Sequence, residues 1–141
     1  RRRTWGGAVL EAAIIVPILV ILAFGMAEYS YYFFVKHTLE GAAREGARNA
    51  ITPTATNASV IAAATAQLTA AGGTGWGATI AITNTSGTPI TNVTTVAAGT
   101  AIEVSVSCTW SSVGVHPLAG LPGDIPGSKT VVGTCIMRKE G

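Results

Sequence analysis

The feature that most constrains this chain is the run GGAVLEAAIIVPILVILAFGMAEYSYYFF, from Gly6 to Phe34. Its uncharged part, Ala12 to Ala27, continues through Tyr29–Val35 with only Glu28 interrupting. That meets the need for about 20 mostly apolar residues to cross a bilayer. A secretory signal has a shorter apolar core, roughly 7–15 residues, and a small-residue cleavage site. No A-x-A-like site closes this run, so it reads as a retained helix. Arg1, Arg2 and Arg3 precede it. Positive residues flanking one end of a span orient that end to the cytoplasm, which leaves the remainder outside.

The helical pattern continues past the apolar run, in KHTLEGAAREGARNA (Lys36–Ala50). Lys36, Glu40 and Arg44 are four apart, and Glu40 before Arg44 is the favourable order for an ion pair. Ala43, Ala47 and Ala50, with Gly46, form a face of small residues. Pro53 disfavours helix in the residue before it, so the helix should end near Ile51. At 1.5 Å per residue it would be roughly 65 Å long, against a hydrocarbon core of about 30 Å. The amphipathic outer half therefore needs something else to pack on. Pro17 removes the hydrogen bond to the Ala13 carbonyl, and Gly25 is a second weak point, so a bend or local melting is expected between Ala13 and Pro17.

The remaining chain is rich in Thr, Ser and Gly but contains too many β-branched residues for disorder. Thr56 or Asn57 can cap a second helix, Asn57 to Ala71, which Gly72 ends; Ile61, Ala64, Leu68 and Ala71 share its apolar face. The period then changes to two. In Thr100–Trp110 the residues Ile102, Val104, Val106, Cys108 and Trp110 alternate with Glu103, Ser105, Ser107 and Thr109, the pattern of an antiparallel strand with one wet face. Gly77–Thr83 and Lys129–Lys139 read as further strands, Ile90–Val96 as a weaker fourth, and the Pro/Gly-rich segment before Lys129 as an extended loop. The expected fold is α+β: a long N-terminal helix, apolar then amphipathic, with a short second helix and a small antiparallel sheet. Residues 1–52 would form the N-terminal transmembrane helix, and 53–141 the globular head.

Charged residues make up 11% of the 141 residues and the net charge is +2. No basic patch of groove size appears, which argues against nucleic acid. Cys108 and Cys135 lack the nearby histidines of a zinc site. In an oxidising compartment, and with the last strand antiparallel to the Cys108 strand, they form a disulfide worth roughly 2–4 kcal/mol; two buried free thiols are the alternative. His37 and His116 stand without a nucleophile, so no catalytic set, metal site or cofactor is expected. Asn57, Asn84 and Asn92 begin N-x-Ser/Thr sequons and are candidate glycan acceptors. The aromatic cluster Tyr29–Phe34 suits an interfacial belt or helix packing.

Glu11 is the anomaly. An acid inside a span costs about 2.5–3.5 kcal/mol on insertion scales, and such groups usually face a protein interior. Glu11 is either solvated among headgroups, protonated, or paired with a cation once helices bundle. With one apolar helix per chain, an interior must come from other copies, and the cation from Arg1, Arg2 or Arg3 of a neighbour or from a free N-terminus after cleavage near Gly6. Small residues such as Ala8, Ala12, Ala23 and Gly25 let backbones approach. Glu28, nearer the far boundary, can reach water.

The first 50 residues resemble the TadE-like pilins of the tight-adherence system, relatives of type IV pilins. The resemblance rests on Gly7, Glu11, Pro17, Phe24, Gly25 and Glu28, then on Ala42, Ala43, Arg44, Glu45, Gly46, Ala47 and Arg48. It implies a precursor held in the cytoplasmic membrane, cut by a prepilin peptidase between Gly6 and Gly7, and passed by the assembly machinery into an extracellular adhesive filament. Glu11 would then meet a neighbour's new N-terminus; with Arg1–Gly6 retained, a neighbour's arginine is the better partner. A structural homopolymer, not an enzyme, is the implied function. The alternative is a membrane-anchored minor pilin or accessory protein that does not polymerise.

Overall fold

The computed structural model describes residues 5–114 and 116–140. It is α+β, in the order α1 (Trp5–Ala50), α2 (Asn57–Ala70), β1 (Thr79–Asn84), β2 (Ala101–Thr109) and β3 (Thr130–Arg138). The chain forms two compact units. One holds the helix up to Tyr32 with the loop ending at Ile125; the other holds Phe33–Gly114 and the segment from Pro126 on.

α1 is helical without a break over 46 residues, Pro17 included. The melting expected between Ala13 and Pro17 does not occur. Proline costs one bond there, and the hydrogen-bond ladder on both sides is long enough to carry the helix across it. The helix ends at Ala50, within a residue of the expected stop.

In the second unit, Val35, Leu39, Ala42, Ala43, Ala47 and Ala50 are fully buried. Their spacing of three and four draws one stripe along the helix. Small residues on that stripe let α1 lie close to its neighbours. A Cβ placed on Gly46 would come within 3.1 Å of Val104 Cγ1 and 3.3 Å of Ala64 Cβ. At Gly133, on β3, a Cβ would collide with the backbone of Leu39 and Glu40. The expected Glu40–Arg44 pair is replaced by His37–Glu40 at 3.3 Å, with Glu45–Arg48 at 3.8 Å on the next turn. Both are solvent-exposed and contribute at most about 1 kcal/mol each.

Thr56 caps α2 through a reciprocal box with Ser59: Ser59 N–H donates to Thr56 Oγ1 at 3.2 Å, and Thr56 N–H donates to Ser59 Oγ at 3.1 Å. Gly72, at φ +83°, turns the chain out of the helix in a conformation that favours glycine. The buried face is Val60, Ala64 and Leu68, whereas Ile61 is exposed. Ala64 and Leu68 lie on the stripe read in the sequence, and Val60 replaces Ile61 at its N-terminal end.

The sheet has the order β1-β2-β3, antiparallel throughout. Ile82, Ile102 and Val104 face a core shared with Ala47, Ala50, Ala55, Val60 and Val93. The fourth strand expected at Ile90–Val96 is absent: Pro89 makes a single bridge to Thr83, and Val93–Thr95 form a 3-10 turn. Asn92 caps that turn by accepting from Thr94 N–H. Asn57 holds the segment from the other side, donating to the Ile90 carbonyl at 2.7 Å and accepting from Val93 N–H at 2.8 Å. Two asparagines thus take the backbone groups a strand would need, and β-branched composition loses to side-chain capping.

The expected disulfide is also absent; both cysteines are free. Register is the reason. Cys108 faces Val131, and Cys135 faces Val104. The two are on the same sheet face but four positions apart along β2, about 14 Å at 3.4 Å per residue. A disulfide needs Cα atoms within about 7 Å. Burial pushes the Cys108 thiol above the ordinary cysteine range.

Lys139 follows β3 and is buried. Its ammonium donates to the carbonyls of Ala50 at 3.3 Å and Thr52 at 2.6 Å. These belong to the unsatisfied end of α1, where a cation is also favoured by the helix dipole. Glu140 N–H donates to the Ile51 carbonyl beside them.

Candidate functional site

Among the described residues, α1 is the one helix long and apolar enough to cross a membrane, and none of its most apolar 18-residue window is buried. Leu10, Ile14, Ile18, Leu19, Leu22 and Phe24 are all exposed. Glu11 is exposed among them, as are Gly6, Gly7 and Pro17. No other atoms crowd the Cβ positions of Gly6 and Gly7. Arg1, Arg2 and Arg3 lie outside the described residues.

Glu28 is placed differently from the reading that let it reach water. It is 1% exposed. Its two carboxylate oxygens each accept one backbone N–H from the loop of the same unit: Leu118 N–H at 3.1 Å and Ile125 N–H at 3.2 Å. Hydrogen bonds to a charged group contribute about 1.5–3 kcal/mol each, which offsets the desolvation of a buried acid. The loop HPLAGLPGDI, residues 116–125, is shaped to present those donors. Leu121 N–H donates to the Leu118 carbonyl at 2.7 Å, and Asp124 N–H to the Leu121 carbonyl at 3.2 Å, closing two successive turns. Gly120 and Gly123, at φ +78° and +95°, take the left-handed positions these turns need. Leu118 and Ile125 are buried beside Glu28, and Leu118 Cδ1 would lie 3.7 Å from a Cβ on Gly25.

The structure therefore joins Gly25 and Glu28 to one loop and leaves Glu11 and Pro17 on bare helix. Leu118 and Ile125 escaped the sequence reading because they are 90 and 97 residues from Glu28. One signal was available: three apolar residues, Leu118, Leu121 and Ile125, in a Pro/Gly loop that would otherwise be polar. Of the aromatic cluster, Phe34 meets Trp76 edge-on, with centroids 6.4 Å apart. Of the sequon asparagines, Asn57 has both amide atoms engaged as described. Asn84 accepts from Ser86 and Thr88 N–H in a turn, and Asn92 is exposed apart from its cap. Among the described residues no group of His, Cys, Asp and Glu is arranged to hold a metal ion.

No curated protein and no solved structure matches the chain. The model of one family, described as TadE-like protein, matches residues 6–48. The match takes in both the bare half of α1 and the stripe that packs on the sheet. Glu11, Pro17, Gly25 and Glu28 all fall inside it. The chain thus carries a TadE-like segment along nearly the whole of its first helix, consistent with a TadE-like protein of tight-adherence systems.

Proposed function

We propose that the chain is a structural pilin-like subunit that polymerises through its apolar N-terminal helix into an extracellular surface filament for adhesion. The observation that carries this reading is the bare helix: the chain itself covers none of its most apolar window. Lipid can cover such a surface before assembly, and sister helices afterwards. Exposed Glu11 gives a bundle of such helices a reason to choose one register, since each acid needs a cation from another copy. That cation is a neighbour's new N-terminus once a prepilin peptidase cuts between Gly6 and Gly7, or one of Arg1, Arg2 and Arg3 in an uncut subunit. Residues 1–52 line the filament core and 53–141 coat it, where Asn92 is exposed to a glycan. The machinery of the tight-adherence system delivers the subunit from the membrane. The TadE-like match supports a pilus-related structural role over catalysis.

Microscopy of material sheared from the cell surface tests this directly. Filaments that contain the chain are the expected result. Confinement of the chain to the membrane fraction, with no filament, would replace this reading with that of an anchored accessory protein.

A further inference from the structure

The loop of residues 116–125 covers a charge at a particular depth. Glu28 stands about 33 Å along α1 from Gly6 at 1.5 Å per residue, and a bilayer's hydrocarbon is about 30 Å thick. A helix that spans from its start brings Glu28 to the outer boundary. There the carboxylate is out of contact with lipid, because it is buried and accepts from Leu118 and Ile125 N–H. The loop's own acid, Asp124, is turned onto its backbone and accepts from Gly120 N–H at 3.2 Å. Beside this clamp, Ile21, Leu22 and Met26 of α1 and Leu118 and Pro122 of the loop line one apolar crevice. It opens beside the exposed Leu22 and Met26, and Leu121, next to Pro122 in the loop, is 44% exposed.

We propose that this loop is a second membrane-contacting element. Clamped by Glu28, it seats Leu121 and Pro122 in the phospholipid bilayer at the outer edge of the hydrocarbon and fixes the depth at which α1 sits. The occupant is lipid because the crevice opens beside the surface that has the length and apolarity of a span, and because both acids near it are internally satisfied. The loop lies outside residues 6–48, so the family match does not describe it. The inference rests on the membrane-inserted precursor of the preceding reading.

The test uses the full chain in phosphatidylcholine vesicles, with Cys108→Ala and Cys135→Ala and a solvatochromic probe at one added cysteine. Probes at Val16→Cys, Leu121→Cys and Ser86→Cys are compared by quenching from lipids spin-labelled at shallow and deep acyl positions. The expected pattern is deep quenching at Val16, shallow quenching at Leu121 and none at Ser86. Adding Glu28→Ala should abolish quenching at Leu121 and leave it intact at Val16. Quenching at Val16 without any at Leu121 overturns the proposal and spares the span. Absence of quenching at Val16 overturns the membrane reading and the proposal with it. Quenching at Leu121 that survives Glu28→Ala overturns the clamp. Shielding of Leu121 from water only in polymerised material assigns the crevice to a sister copy instead.

Discussion

The two halves of α1 share one helical backbone and differ in what covers them. From Leu10 to Phe24 large apolar residues point in every direction and, Ile21 apart, remain exposed. From Val35 to Ala50 a single stripe is buried, and most of it is alanine or glycine. Large side chains all round suit a soft or repeated environment, such as lipid or identical helices, which imposes no unique face. Small side chains on one stripe suit a fixed neighbour, because they let backbones meet at one distance and no other. The same helix is thus packed on its own chain at one end and left uncovered by that chain at the other.

The sharpest way to break that contrast is at the fixed end. Gly133→Val forces a side chain into the backbone of Leu39 and Glu40. Overpacking of this kind should destabilise the second unit by about 3 kcal/mol or more. Urea unfolding in detergent, followed by tryptophan fluorescence, measures it, while insertion of the apolar half in membranes should not change. Unaltered unfolding would mean that α1 is not held closely against β3. Lys139→Met is the next largest. It leaves the Ala50 and Thr52 carbonyls without their cation and should cost about 1–2 kcal/mol in the same assay.

A smaller effect comes from the thiols. Denatured, unreduced chain should release two titratable thiols, and a disulfide would release none. Because burial raises the Cys108 value in the fold, its contribution to stability is complete below the unfolded thiol's pKa and is lost as pH rises through the folded one. Alkaline destabilisation that is reduced by Cys108→Ala checks the sign. Smallest for the fold is Glu11→Ala, which should leave unfolding unchanged within about 0.5 kcal/mol, as expected for an exposed site. Filament yield should nonetheless fall, and wild-type yield would remove the pairing role.

Local pattern told much of this in advance, and long-range geometry did not. β2 was legible because Ile102, Val104, Val106 and Cys108 alternate without a fault, and the end of α1 because Pro53 follows it so closely. The run Ile90–Val96 misled because its β-branched residues favour a strand, while the deciding bonds come from Asn57, more than thirty residues earlier. The cysteine pairing failed on register, which alternation leaves free by any even number of residues. The burial of Glu28 was hidden for the same kind of reason: an acid in an apolar run announces that it needs donors, but not which loop supplies them.

Lys139 and Glu140 give the second unit an unusual mechanical property. The end of the final strand is stitched to the end of α1 by three hydrogen bonds, onto Ala50, Ile51 and Thr52. A tug along the helix therefore reaches β3 at once, with the load shared among those bonds. The tail cannot peel away first, so the unit resists tension as a block.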